Sequence, residues 1–232
     1  MTAFHIWNYE FINEELIVKD VIAITTLVVS LILFGSYVYT LTEPEYITLN
    51  RAKPIDVLMD PVQSAAPDTI IPIIHRGKER YTIIPQKRYQ LSGIVVSYRR
   101  YRRGWMHNLS PWDYTVSWGN TQQYLPYVKF DQIVRFCLFS TKHPEKVDIS
   151  YLESHIANNH LIPANNNLRK AMGRVKKKDQ VLIDGFLVNV ISTDRKNRIG
   201  NWTSSLTRED TGNGACEIIY VTRLRINNDV YE

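Results

Sequence analysis

The chain has 232 residues, 44% hydrophobic and 22% charged, which excludes a disordered tail or a low-complexity polymer. Its formal net charge of +5 is basic but short of a dedicated nucleic-acid packer. Two cysteines exclude a disulfide-rich scaffold and a four-cysteine zinc site.

Residues 1–20 read as an N-terminal tail with one Lys and four acidic residues. Phe4, Trp7, Phe11 and Val18 would share one helical face. The tail is either an amphipathic segment lying in a membrane interface or an extension of the helix that follows. Residues 21–42, VIAITTLVVSLILFGSYVYTLT, form a run of 22 without a charge. At about 1.5 Å per residue the run spans roughly 33 Å, enough for a hydrocarbon core of about 30 Å. Thr25, Thr26, Ser30 and Ser36 can bond back to their own helix. Tyr37 and Tyr39 stand where an interfacial aromatic belongs. A cleaved signal peptide would need a basic leader and a shorter apolar core. The expectation is a single-pass inner-membrane anchor.

Charge near the anchor gives a divided reading of orientation. Lys19 precedes it, and Arg51 and Lys53 follow it. An acidic tail is cheap to translocate, which favours a cytoplasmic C-terminal domain. A short tail, one anchor and a large domain favour display outside, since long domains cross largely regardless of charge. The second arrangement, an extracytoplasmic domain, is the one adopted.

Residues 43–86 read as a stalk with an entry strand: Pro44, Pro54, Pro61, Pro67, Pro72 and Pro85 interrupt any helix or central strand, SAAPD (64–68) reads as a loop, and TIIPII (69–74) and YTII (81–84) are short β-type runs. Residues 87–232 read as the globular domain. YQLSGIVVSYRRY (89–101) and DYTVSWG (113–119) have the β-branched and aromatic content of strands. YVKFDQIVRFCLFST (127–141) reads as a strand. ISYLESHIA (149–157) and LRKAMGRV (168–175) read as short helices. QVLIDGFLVNVI (180–191) predicts a hairpin turning at Asp184-Gly185. In CEIIYVTRLRI (216–226), alternation puts Ile218, Tyr220, Thr222, Leu224 and Ile226 on one face. The expected fold is α+β and β-dominated: an N-terminal transmembrane helix, then a compact, mostly antiparallel β domain with short helices.

Three residues could carry chemistry together. His160 lies in the polar, turn-prone stretch IANNHLIPAN. Cys216 opens the last strand, and Arg223 follows on that strand. A cysteine nucleophile is activated by a nearby His or Arg, and an Arg can steady an oxyanion. Structural roles compete: a loop histidine bonded to backbone, a small buried cysteine, a solvated arginine. Cys137 and Cys216 could form a disulfide in an oxidising compartment.

The order NNHLIPA, a short helix, VKKKDQVLIDGFLVNVI, then Cys216 and Arg223 resembles part of the sortase family over residues 158–226. That resemblance implies a membrane-anchored β-barrel and a cysteine transpeptidase or hydrolase using His160, Cys216 and Arg223. ANNHLIPAN (157–165), DGFLVNV (184–190) and SSLTREDTGNGACE (204–217) also resemble a group of bacterial single-pass membrane proteins, which implies no particular activity.

A basic-aromatic run, YRRYRRGW (98–105), is joined by a second basic run at 174–178. Residues 44–232 carry 27 Lys and Arg against 18 Asp and Glu. Arg99, Arg100, Arg102, Arg103, Lys176, Lys177 and Lys178 are the expected contacts to anionic lipid or an acidic partner. Nucleic acid is disfavoured beside an anchor. The i,i+5 spacing of His155 and His160 does not suit a shared helical metal site, and no metal or cofactor is expected. DTGNG (210–214) reads as a turn-forming loop.

The leading expectation is a membrane-anchored interaction or assembly module of a bacterial envelope, without catalysis. Its partners would be membrane lipids, another protein or a second copy of itself. The alternative is the sortase-like cysteine enzyme. What separates them is whether Cys216 and His160 converge in a cleft.

Overall fold

The computed structural model describes residues 3–49, 53–66, 68, 71–194, 196–207 and 216–232, with side chains from Val18 onward. The chain divides into two units, Met1–Glu43 and Pro44–Glu232.

The first unit is helix α1, Ala3–Thr42. Its segment Val18–Thr42, 25 residues, is long and apolar enough to cross a membrane. Thr25 donates to the Val21 carbonyl at 2.7 Å and Thr26 to the Ile22 carbonyl at 2.8 Å, so the hydroxyls are satisfied within the helix.

Among its described residues the second unit has twelve strands, two short α-helices and three short 3-10 helices. The strands are β1 (Ile47–Thr48), β2 (Val62–Ala65), β3 (Ile74–Arg76), β4 (Glu79–Arg100), β5 (Trp112–Ser117), β6 (Val128–Ile133), β7 (Phe136–Thr141), β8 (Ile156–Pro163), β9 (Gln180–Thr193), β10 (Ile199–Trp202), β11 (Glu217–Ile226) and β12 (Asp229–Tyr231). Helices α2 (Ile149–Ser154) and α3 (Asn166–Met172) start at side-chain caps. Asp148 accepts from Tyr151 N, and Asn165 accepts from Leu168 N.

Five strands close on themselves in the order β11-β8-β5-β4-β9, with β9 pairing back to β11. The ladders are antiparallel except β8–β11, which is parallel. The inner faces supply one buried core: Leu91, Val95, Tyr114, Leu161, Ile183 and Ile219 among others. Leu168, Ala171 and Met172 of α3 join that core. Side chains on the opposite faces form separate clusters outside the ring. One contains Tyr81, Ile83, Ile162, Val188 and Ile218; the other contains Phe130 and Leu152.

Several expectations are corrected. The compact unit starts at Pro44 rather than at residue 87. Ile55, Val57, Ile71, Tyr81 and Ile83 lie in the expected stalk and are buried. Pro85 is accommodated because β4 bulges between Pro85 and Lys87. Residues 127–141 are two strands, β6 and β7, rather than one.

Asp184-Gly185 is not a turn. Both residues lie inside the continuous strand β9, paired to Gln90 and Tyr89 of β4. Gly185 is required for another reason: a Cβ there would stand 2.1 Å from the Tyr220 carbonyl oxygen, where β9 and β11 close the ring.

The single face expected of β11 is also broken. Ile218 packs outside the ring, whereas Leu224 and Ile226 pack inside. A bulge between Val221 and Arg223 adds one residue and exchanges the faces.

Candidate functional site

The site occupies the outer face of β5, β8 and β11. Across β5 and β8, Asp113 stands opposite His160 and Thr115 opposite Asn158. Across the parallel pair, His160 stands opposite Ile218. A period of two places Asp113, Thr115, Asn158 and His160 on one face. Cys216, two residues before Ile218, enters on that face. Its carbonyl accepts from Ser205 N at 3.1 Å, which ties down the start of the strand. Asn158 Nδ2 lies 3.8 Å from Cys216 Sγ.

Asp113 is fully buried and His160 is 4% exposed. His160 Nδ1 lies 3.0 Å from Asp113 Oδ1. The N–H is not well aligned with that oxygen, so the contact is ionic rather than a linear hydrogen bond. Burial pulls the His160 pKa down. The adjacent Asp113 carboxylate and the Cys216 sulfur outweigh that and push it up, to about 9.

Asp113 has a second cation. Arg135 Nη1 donates to Asp113 Oδ1 at 2.8 Å. Arg135 Nη2 donates to the Ser110 carbonyl at 2.9 Å and the Trp105 carbonyl at 3.2 Å. The guanidinium lies 4.3 Å from the Tyr101 ring and 5.5 Å from the Trp202 ring. Trp202 packs on His160 with ring centroids 4.8 Å apart.

The tight turn between β6 and β7 holds Arg135 in place. Val134 and Arg135 are its two central residues, with φ of 46° and 65°. Such a turn favours Asn-Gly, and a β-branched residue at positive φ is strained. The strain is held at the site. Tyr101 Oη accepts from Arg135 N at 3.0 Å, and Asn158 Nδ2 donates to the Arg135 carbonyl at 2.8 Å. On the inner face of the hairpin, Gln132 Nε2 donates to Thr115 Oγ1 and Asn158 Oδ1, each at 3.1 Å.

A cavity of about 750 Å³ opens over this cluster. His160, Cys216 and Arg135 line it together with Trp105, Phe136 and Trp202. That volume suits a small molecule or a short segment of a larger substrate.

His160 and Cys216, proposed from sequence, are brought together. His160 is a central residue of β8 rather than a loop residue. Arg223 is not at the site. It is exposed on β11, with Nε 3.1 Å from Glu232 Oε1, and lines a different cavity beside Asp184. Arg135, largely covered and bound to Asp113, is the arginine at the site instead.

The expected basic patch separates. Arg99 and Arg103 line the cavity, and Arg99 Nη1 donates to the Gln132 carbonyl. Arg100 lies 5.3 Å from the Trp112 ring, and Arg102 is exposed. Lys176, Lys177 and Lys178 are exposed between α3 and β9 and do not line that cavity. Both cysteines are free thiols. Cys137 is opposite Gln132, and burial raises its thiol pKa. Among the described residues no group of three His, Cys, Asp or Glu is placed to hold a metal ion. The DTGNG loop at 210–214 lies outside the described residues.

Sequence reasoning passed over Asp113, Arg135 and Asn158. Asp113 carried one signal, a lone acid opening an alternating strand. No protein family, curated protein or solved structure matches this chain, so the chemistry rests on the site's own geometry.

Proposed function

We propose that this chain is a membrane-anchored, cysteine-dependent acyl-transfer enzyme of a bacterial envelope. The observation that carries the reading is the convergence of Cys216 and His160 on one cavity, with Asp113 buried behind His160. An interaction module needs no such convergence. Nucleophile, base and orienting group within reach of one another are what covalent catalysis requires.

The roles follow from the geometry. Cys216 is the nucleophile. His160 is an imidazolium at neutral pH and is the counterion for a thiolate. Asp113 orients the ring through Nδ1, and Arg135 balances the Asp113 charge. The thiolate attacks an acyl carbonyl, and the carbonyl electron pair moves to oxygen. Asn158 Nδ2 is the side-chain donor next to the sulfur and is placed to stabilise that oxyanion. As the oxyanion collapses, His160 passes a proton to the leaving group and a thioester remains on Cys216. Neutral His160 then takes a proton from water or an amine, which attacks the thioester and frees the thiol. Water as acceptor makes the enzyme a hydrolase; an amine makes it a transpeptidase.

The helix Val18–Thr42 supports attachment as a single pass through the inner membrane. A short tail, one anchor and a large following unit support display of that unit outside the cytoplasm.

The test is acylation of the full chain in detergent by an activated ester such as p-nitrophenyl acetate, read by intact mass. The expected product is a single acetyl thioester, absent in Cys216→Ser, strongly slowed in His160→Ala and retained in Cys137→Ser. Labelling independent of Cys216 and His160 would overturn the reading.

A further inference from the structure

The mouth of the Cys216 cavity has an unusual rim. The β6–β7 hairpin turns its inner side chains, Gln132, Cys137 and Phe139, toward the ring. Its outer face carries Ile133, Phe136 and Leu138, all exposed, with Asp131 opposite Leu138 and Lys129 beyond it. Val134 at the tip is 75% exposed and Trp105 on the facing loop is 54% exposed. Trp105, Val134 and Phe136 also line the cavity. The apolar tip of the hairpin, Ile133, Val134 and Phe136, therefore adjoins the cavity mouth, and the polar residues of the same face, Asp131 and Lys129, lie farther from the tip.

Soluble surfaces seldom show a contiguous apolar patch of this kind without a use for it. Hairpins normally place Asn or Gly at a tip with positive φ, for conformational and solvation reasons alike. Here the strained position holds a bare valine. Arg102 and Arg103, both exposed, adjoin Trp105 in sequence. A tip with Val, Ile, Leu and Trp, flanked by arginines, has the composition of an interfacial anchor on anionic lipid. A helix long and apolar enough to cross a bilayer precedes this unit in the chain, so a bilayer is the surface the proposal commits to.

We infer that the rim formed by Trp105, Val134, Ile133 and Leu138, with Arg102 and Arg103, docks into the headgroup layer of an anionic bilayer and turns the Cys216 cavity toward the membrane surface. The apolar tip enters the acyl boundary and the arginines pair with lipid phosphates. Substrates would be drawn from molecules held at that surface. Docking does not depend on the chemistry of Cys216, so it stands or falls apart from the acyl-transfer reading.

The experiment uses the full chain with both cysteines changed to Ser and one new cysteine, Val134→Cys, carrying an NBD fluorophore. It is reconstituted into vesicles of phosphatidylcholine alone or mixed with phosphatidylglycerol. Leu138→Cys is a second reporter on the rim. Glu145→Cys, beyond the far end of β7, is the control.

In anionic vesicles, NBD at 134 and 138 is expected to lose about half its emission or more to acyl-chain spin-labelled lipid and to be shielded from aqueous iodide. The control remains open to iodide. Arg102→Gln with Arg103→Gln, or high salt, should reverse the lipid quenching. Equal iodide quenching at 134, 138 and 145 in both vesicle types would overturn the proposal. So would shielding from iodide without lipid quenching, which would mean that a second copy or another protein covers the rim.

Discussion

His160 and Asp113 face each other across the β5–β8 ladder, with Nδ1 3.0 Å from Oδ1 and both side chains buried. A buried carboxylate is costly unless cations surround it. Arg135 supplies one cation and the imidazolium a second. Two cations around one carboxylate leave a surplus of positive charge beside Cys216. A thiolate there would bring the cluster to balance.

This arrangement fixes the sign of a pH effect. The His160 pKa is about 9 in the folded chain, against an ordinary value of 6.5. The folded state therefore binds more protons than the unfolded state between those values, and stability falls as pH rises. The contribution is fully present below about pH 6.5, is lost through about pH 9, and is on the order of 3 kcal/mol. Thermal unfolding of the full chain in detergent, at pH 6 and pH 9.5, checks it. The stability advantage of wild type over His160→Gln should shrink by most of that amount at the higher pH. An unchanged gap would contradict the assignment.

Arg135 and Asp113 should be strongly coupled. Arg135→Gln leaves a buried carboxylate with one cation fewer, and Asp113→Asn leaves a largely covered guanidinium without its anion. Each single change is expected to cost about 3–5 kcal/mol. The double change should cost clearly less than the sum. Additive losses in denaturant unfolding would mean that the ion pair at 2.8 Å contributes little.

Gly185 is a closure residue. Gly185→Val should destabilise the second unit severely, because even a Cβ meets the Tyr220 carbonyl at 2.1 Å. Gly185→Ala should show most of the effect, about 2 kcal/mol or more, since backbone must shift to admit any side chain. A turn at this position would instead tolerate Asn. Gly185→Asn is therefore expected to fail with the others, and normal melting of that variant would contradict the strand assignment.

The sequence revealed regular elements better than their partners. The apolar run of α1, the strands around Val95, Val116 and Ile219, and both short helices follow from composition and period. Asp184-Gly185 misled because an Asp-Gly pair in a β run has two physical uses, a tight turn and a close backbone approach. Only the packing of β11 against β9 decides between them. The β6–β7 turn was hidden for the converse reason, since Val134-Arg135 carries none of the residues that favour positive φ. His160 and Cys216 were legible as reactive types. Asp113 and Arg135 were not, because they reach the site through strand register and a strained turn.

The anchor has its own test. The full chain should stay with membranes through carbonate extraction, and removal of residues 1–43 should release the remainder. With the following unit outside the cytoplasm, protease added to spheroplasts should digest it. Extraction by carbonate would contradict the membrane-crossing role of Val18–Thr42, and protection in spheroplasts would reverse the orientation.

Reactivity of Cys216 tests the acyl-transfer reading most directly. The measurement is the rate of iodoacetamide alkylation of the folded full chain in detergent, under reducing conditions, with Cys137→Ser as background and pH varied from 5 to 10. Cys216 beside the His160 imidazolium should be alkylated rapidly in the folded chain. His160→Ala should slow that alkylation strongly, and Asp113→Asn should slow it in part. Slow alkylation that becomes fast only on unfolding, with no response to His160→Ala, would contradict the account and return the chain to a non-catalytic role.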